Sequence, residues 1–149
     1  MLVIENAATW HSYCRWNTQR AVFSAVVYGD GKRFVDGIRY MSDIFAELGG
    51  TRGVLYFGDL DIAGVRIPHR ASAHMAKLGF PQIESDLRSY RWLLECSSID
   101  FDEPGIEPAS VAEIAWLGEL ASAATKLLGT GHRLAQEHIG WEFLASRCE

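Results

Sequence analysis

Two aspartates two residues apart, Asp59 and Asp61 in "YFGDLDIAG", follow directly on a run of strand-forming residues, and Glu5 closes the short apolar stretch "LVIE". Carboxylates gathered at strand ends are costly neighbours. Two like charges a few ångströms apart repel by roughly 1 kcal/mol in water, and by several times more when shielded from it. Either one of them takes up a proton or a cation binds. An all-oxygen set without a convergent histidine or cysteine suits a hard ion, Mg2+ or Mn2+, which leaves positions open to water and phosphate. Phosphoryl transfer is the chemistry such a centre serves. Gly58 and Gly64 bracket the aspartates, and glycine there lets the backbone turn sharply or a phosphate come close. Alone, a D-x-D after a strand reads more readily as a helix cap than as a ligand pair. The additional strand-end Glu5 turns the balance toward a metal.

Positioning these residues requires strands that end together. "LVIEN" reads as a first strand, with Asn6 capping a helix through "AATWHSYCRW". "RAVFSAVVYG" reads as a second strand closed by the turn signal "GDGK". Phe34, Ile38, Met41, Ile44, Phe45 and Leu48 then fall at helical spacing, predicting one helix that stops at Gly49-Gly50. "RGVLYFG" is the third strand, and a helix is expected from about Ala63 to Leu78. Pro68 should confine that helix to the part after its first turn, or kink it.

Beyond Phe80 the pattern weakens. "FPQIES" is open as a fourth strand, "DLRSYRWLLE" reads as a short helix and "SSIDFDEPGIEP" as a loop. The tail reads as two helices, "ASVAEIAWLGELASAATKLLG" and "GHRLAQEHIGWEFLASRC", separated by "GTG". Strands alternating with helices predict an α/β fold, a Rossmann-like and mostly parallel sheet flanked by helices, with extra C-terminal helices. Residues 1–149 are expected to form a single domain, with a core over about 1–95 and a helical part over about 107–149. In such a sheet ligands bind at the carboxyl ends of the strands. If the first and third strands are neighbours, Glu5, Asp59 and Asp61 converge there.

Composition bounds the partners. Of 149 residues 48% are hydrophobic and four are proline, enough for one substantial core. A net charge of -5 argues against attraction to nucleic acid through the overall field. The arginines are nonetheless clustered, as Arg66 with Arg70 and Arg88 with Arg91. Arg66 and Arg70, four apart on one helix face, are candidates for DNA-backbone contacts, and His11 for a phosphate contact. His69 and His74, like His132 and His138, are wrongly spaced for zinc on one helix face. Cys14, Cys96 and Cys148 stand far apart without a C-x-x-C pair and read as free thiols. The absence of a long apolar run and of a signal-peptide pattern points to a cytoplasmic protein with no membrane partner. Trp116, Leu117 and Leu120 form an apolar face, expected to be covered by another domain or a partner chain.

A glutamate ending the first strand and a D-x-D ending the third resemble the Toprim domain of topoisomerases, DnaG-type primases and some nucleases. More narrowly, "VIENAATW", "YFGDLDIAG" and "RLAQEHIGWEFL" resemble the C-terminal Toprim domain of JetD. JetD is the nuclease subunit of the Wadjet plasmid-defence system and is related to topoisomerase VI. The resemblance covers nearly the whole chain. It implies that Asp59 and Asp61 are ligands of Mg2+ or Mn2+, that Glu5 is a ligand or general base, and that a metal-activated water hydrolyses DNA. It implies as partners DNA, an upstream domain of a longer chain and the subunits of a defence complex, and leaves a homodimer open. Gln136 and Glu137 match the closing motif, where Glu137 reads more readily as a support of the sheet than as part of the site.

The chain departs from that family in two ways. Topoisomerase VI-like enzymes cleave with a tyrosine on a separate winged-helix domain, whereas Tyr13, Tyr28, Tyr40, Tyr56 and Tyr90 all fall within the expected α/β unit. Met1 also stands only four residues before Glu5, as expected of a fragment of a longer protein. Two other readings stand beside the nuclease: a non-catalytic Toprim module holding a metal or a partner protein, and a phosphatase of the haloacid-dehalogenase type. The phosphatase expects threonine or valine after its nucleophile, where "DLDIAG" has isoleucine and alanine, and it gives Glu5 no role.

Overall fold

The computed structural model describes residues 1–50, 53–100 and 107–147. Cys148, and residues 101–106 of the stretch read as a loop, lie outside the described residues. Four short strands, β1 (Leu2–Ile4), β2 (Val26–Tyr28), β3 (Val54–Phe57) and β4 (Ile83–Ser85), form a sheet in the order β2-β1-β3-β4. Every neighbouring pair is parallel. Ile4 stands level with Phe57, so β1 and β3 end together. "FPQIES" therefore does join the sheet, as its outer strand beside β3.

Alternation along the strands divides the core into two layers. Leu2, Ile4 and Phe57 face one side, with Tyr13 and Trp16 of α1 (Ala7–Arg20). Val3, Val54 and Tyr56 face the other, with Phe34 of α2 (Arg33–Gly37) and Phe45 of α3 (Met41–Glu47). Ile67, Ala71 and Met75 of α4 (Ile62–Lys77) complete that second layer. Tyr90 and Leu93 of α5 (Leu87–Leu94) belong to the first. A parallel sheet covered on both faces is the arrangement that such apolar strands require.

Several boundaries differ from expectation. The single helix read from Phe34 to Leu48 is three pieces, α2, a 3-10 turn at Ile38–Tyr40, and α3. Gly37 sits at the first joint, where its lack of helix preference weakens continuity. At the far end, Gly49 adopts φ 76° and Gly50 donates to the Phe45 carbonyl at 2.8 Å, the expected glycine stop. Conversely, α4 starts before Pro68 and runs through it. Pro68 gives up one intrahelical bond, but Val65, Ile67, Pro68 and Ala71 are all buried, and that packed face holds the helix across the position.

The C-terminal part is less helical than its apolar spacing predicts. Its elements are α6 (Val111–Ala115), a 3-10 turn at Gly118–Leu120, α7 (Ala121–Gly129) and α8 (Trp141–Ser146). Between the last two, "RLAQEH" is not a helix. It contains β6 (His132–Arg133), which pairs antiparallel with β5 (Ile99–Asp100), and a 3-10 turn at Gln136–His138. Thus part of the expected loop at 97–108 is strand.

The face of Trp116, Leu117 and Leu120 is covered by the chain itself rather than left for a partner. Leu117 is buried, and Trp116 packs edge-on against Tyr56 and Tyr90 while its indole N–H donates to the Ile83 carbonyl at 2.8 Å. No helix among the described residues is long and apolar enough to cross a membrane.

Candidate functional site

From β1 the chain crosses to β2 on one side, and from β3 to β4 on the other. Strand order thus reverses between β1 and β3, and a crevice opens at their carboxyl ends. Glu5 follows β1 immediately, with its N–H donating to the Phe57 carbonyl at 3.1 Å. Its carboxylate Oε2 accepts the Tyr56 hydroxyl at 3.0 Å. Asp59 and Asp61 follow β3 across the crevice. Asp59 Oδ1 accepts the Gln136 N–H at 2.7 Å. Asp61 is the N-cap of α4, its Oδ1 accepting the Gly64 N–H at 2.7 Å.

The two bracketing glycines are required by space. A Cβ on Gly58 would stand 2.2 Å from Glu5 Oε2, and one on Gly64 only 2.0 Å from the Asp59 carbonyl oxygen. Gly58 also donates its N–H to the Tyr90 hydroxyl at 3.1 Å, which fixes the turn from below. A side chain at position 58 would have to displace the Glu5 carboxylate from its place beside the β3 end.

Burial, opposed by the Tyr56 hydrogen bond and reinforced by the charges of Asp59 and Asp61, raises the Glu5 carboxyl from the usual 4.5 to about 7. Burial also raises Asp59, against the hydrogen bond from Gln136 and with the charges of Asp61 and Glu137 adding to it. The Tyr56 and Tyr90 hydroxyls are pushed well above their ordinary value by burial first, and by the Glu5 charge among others. Both tyrosines stay protonated near neutrality and serve as hydrogen-bonding supports.

Sequence reasoning singled out Gln136 only as part of a closing motif and gave it no role. It is fully buried. Its side-chain Nε2 donates to the Phe57 carbonyl at 2.6 Å and its Oε1 accepts the Asn6 N–H at 2.8 Å, while its own N–H holds Asp59. One residue therefore ties the ends of β1 and β3 to each other and to the first aspartate. Two backbone bonds between Leu60 and Leu134, at 2.9 and 3.2 Å, lay this segment across the crevice. Glu137 is drawn in beside it, accepting the Asn6 side-chain N–H at 2.7 Å. The one signal in the sequence was a polar pair, Gln136-Glu137, inside the otherwise apolar frame of Leu134 and Ile139.

The remaining sequence candidates are more scattered. His11 is exposed on the second turn of α1. Arg66 pairs with Glu113 at 2.9 Å and donates to the Glu107 carbonyl at 3.1 Å, tying α4 to the C-terminal part. Arg70 is exposed one turn further along. Glu5, Asp59 and Asp61 share the crevice and each other's field but do not close on a common point. Among the described residues no three histidine, cysteine, aspartate or glutamate side chains stand so as to hold a metal ion. One oxygen of each aspartate is turned to a backbone N–H.

Compared with known protein families, residues 1–148 match the family described as "Wadjet protein JetD, C-terminal". The chain belongs to the JetD C-terminal family. The match to JetD spans both acidic stretches and the Gln136-Glu137 segment that crosses between them. No curated protein and no solved structure matches the chain.

Proposed function

We propose that this chain is a Toprim-type module that cleaves DNA phosphodiesters with the help of Mg2+ or Mn2+, as part of a Wadjet plasmid-defence complex. One observation carries the reading: Glu5, Asp59 and Asp61 follow two adjacent parallel strands at the point where strand order reverses. The donor set fits a hard divalent ion, being all oxygen, partly buried and mutually repelling. Glu5, Asp59 and Asp61 would hold it, after small rotations of the aspartates away from their backbone donors. The ion would set positive charge against the phosphate oxygens and acidify the attacking water.

The chain's own groups do the rest. Tyr56 orients Glu5, which would serve as a ligand of the ion or, where the aspartates alone hold it, as the base that takes a proton from the attacking water. Gln136 fixes Asp59, and Asp61 anchors α4. Arg70, His11 and, once released from Glu113, Arg66 would meet DNA phosphates. A net charge of -5 suits a subunit whose complex supplies most of the DNA affinity. DNA, an upstream domain and other defence subunits are the expected partners, with a homodimer as a further arrangement.

A second reading, a non-catalytic module that binds a partner protein, is favoured by one observation: the carboxylates do not meet as a ligand set. Plasmid cleavage in Mg2+ by the assembled complex separates the two. Asp59→Ala should lower the cleavage rate by roughly a hundredfold or more, the scale on which a lost electrostatic catalytic contact is felt. Unaltered cleavage would rule out these ligands.

A further inference from the structure

We propose that the groove between α2 and α4 is a track for a nucleic-acid strand running away from the carboxylate crevice, with Lys32, Arg39, Arg70 and Lys77 holding its phosphates. It rests on the nuclease reading for where the strand leads, but its geometry stands independently. A cavity of about 560 Å3 begins at Ile62 and Ala63, directly after Asp61, and is walled by Lys32, Arg66 and Arg70. A second, of about 370 Å3, shares Val35 and Asp36 with the first and continues past Arg39, His74 and Lys77. Together they follow the whole of α4. At 1.5 Å per residue, Asp61 to Lys77 is about 24 Å, the length of roughly seven nucleotides in one strand of a duplex.

Charge in this groove runs opposite to that of the molecule. Five permanent cations, Lys32, Arg39, Arg66, Arg70 and Lys77, line it against two carboxylates, Asp36 and Glu107, although the net charge of the chain is -5. Positions 66, 70, 74 and 77 recur at helical spacing and share one face of α4. Arg66 is tied to Glu113. Lys32, Arg39, Arg70 and Lys77 are exposed and, among the described residues, form no ion pair, Arg39 lying over the Tyr40 ring, so these charges are open to an anion along the groove. Cations spaced along an open groove suit a polyanion better than a small ligand. Contacts of this kind position a backbone without reading its sequence.

The test is fluorescence anisotropy of a labelled DNA duplex with the 149-residue chain, in EDTA so that the crevice holds no ion, over a range of salt. Lys32→Glu, Arg70→Glu and Lys77→Glu should each weaken binding about tenfold and lower the salt slope by about one. Arg20→Glu and Lys126→Glu, which make the same charge change outside the groove, should stay within about twofold of wild type by the same reasoning. If a reversal unfolds the chain, Arg70→Gln and Lys77→Gln give the same reading. Groove and control variants that weaken equally, or a wild type that binds no duplex even at the lowest salt, where phosphate contacts are strongest, would overturn the track. Loss of the track with an intact metal response at Asp59 leaves the nuclease reading standing. Duplex binding through the groove without any metal response keeps the track and removes that reading.

Discussion

Glu5 carries the sharpest residue-level consequence of the crevice. Its folded carboxyl titrates at about 7 against a usual 4.5, so between those values the folded chain binds more protons than the unfolded one. Without metal, stability should therefore fall as pH rises from about 4.5 to 7 and level off above, a loss on the order of 2–3 kcal/mol. Asp59 acts in the same direction. Glu5→Gln should flatten that part of the curve in denaturant unfolding, and a slope unchanged by the substitution would contradict that origin. Gln136→Leu takes the acceptor from the Asn6 N–H and one of two donors from the Phe57 carbonyl, and should cost about 1–3 kcal/mol in the same unfolding measurement. Gly64→Ala should be worse tolerated than Gly58→Ala in thermal unfolding, because it strikes backbone, whereas Gly58→Ala strikes the movable end of Glu5. At this scale the sequence made the acidic residues legible, since strand-end carboxylates are unusual by type alone. Gln136 was not legible, because its meaning depends on partners that lie 79 and 130 residues away.

Among elements, the strand and helix alternation through α4 was readable from apolar spacing, and the acidic residues fell at strand ends because β1 and β3 were placed correctly. The misplacements have physical causes. Gly37 interrupts a run whose apolar spacing is otherwise helical, and Pro68 is outweighed by the buried face around it. "RLAQEH" is claimed by sheet-end hydrogen bonds that no local pattern announces. Trp116 is the element-level counterpart, an apolar residue whose partner proved to be the chain's own sheet. Trp116→Ala should cost about 3 kcal/mol, read as a lower unfolding midpoint, by removing the ring contacts with Tyr56 and Tyr90 and the bond to Ile83. A shift of only a few tenths would mean that α6 and α7 lie loosely on the sheet.

In the whole molecule, the C-terminal segment is part of the site rather than an appendage, since Gln136 closes the crevice and Leu144 of α8 is buried in the layer shared with α1. Far-UV dichroism and tryptophan fluorescence should therefore report one coincident unfolding transition, and two separated transitions would divide the core from the tail. Membership in the JetD C-terminal family places this α/β unit in the setting of a defence system, while the proposed activity hangs on the crevice between β1 and β3. Thermal unfolding with and without millimolar Mn2+ or Mg2+, in wild type and in Asp59→Ala with Asp61→Ala, tests that claim most directly. The account predicts that the ion stabilises wild type, by roughly 2.7 kcal/mol at a hundred times its dissociation constant, and that the double variant loses the response. A wild type indifferent to either ion, with a variant as stable or more so, would contradict it.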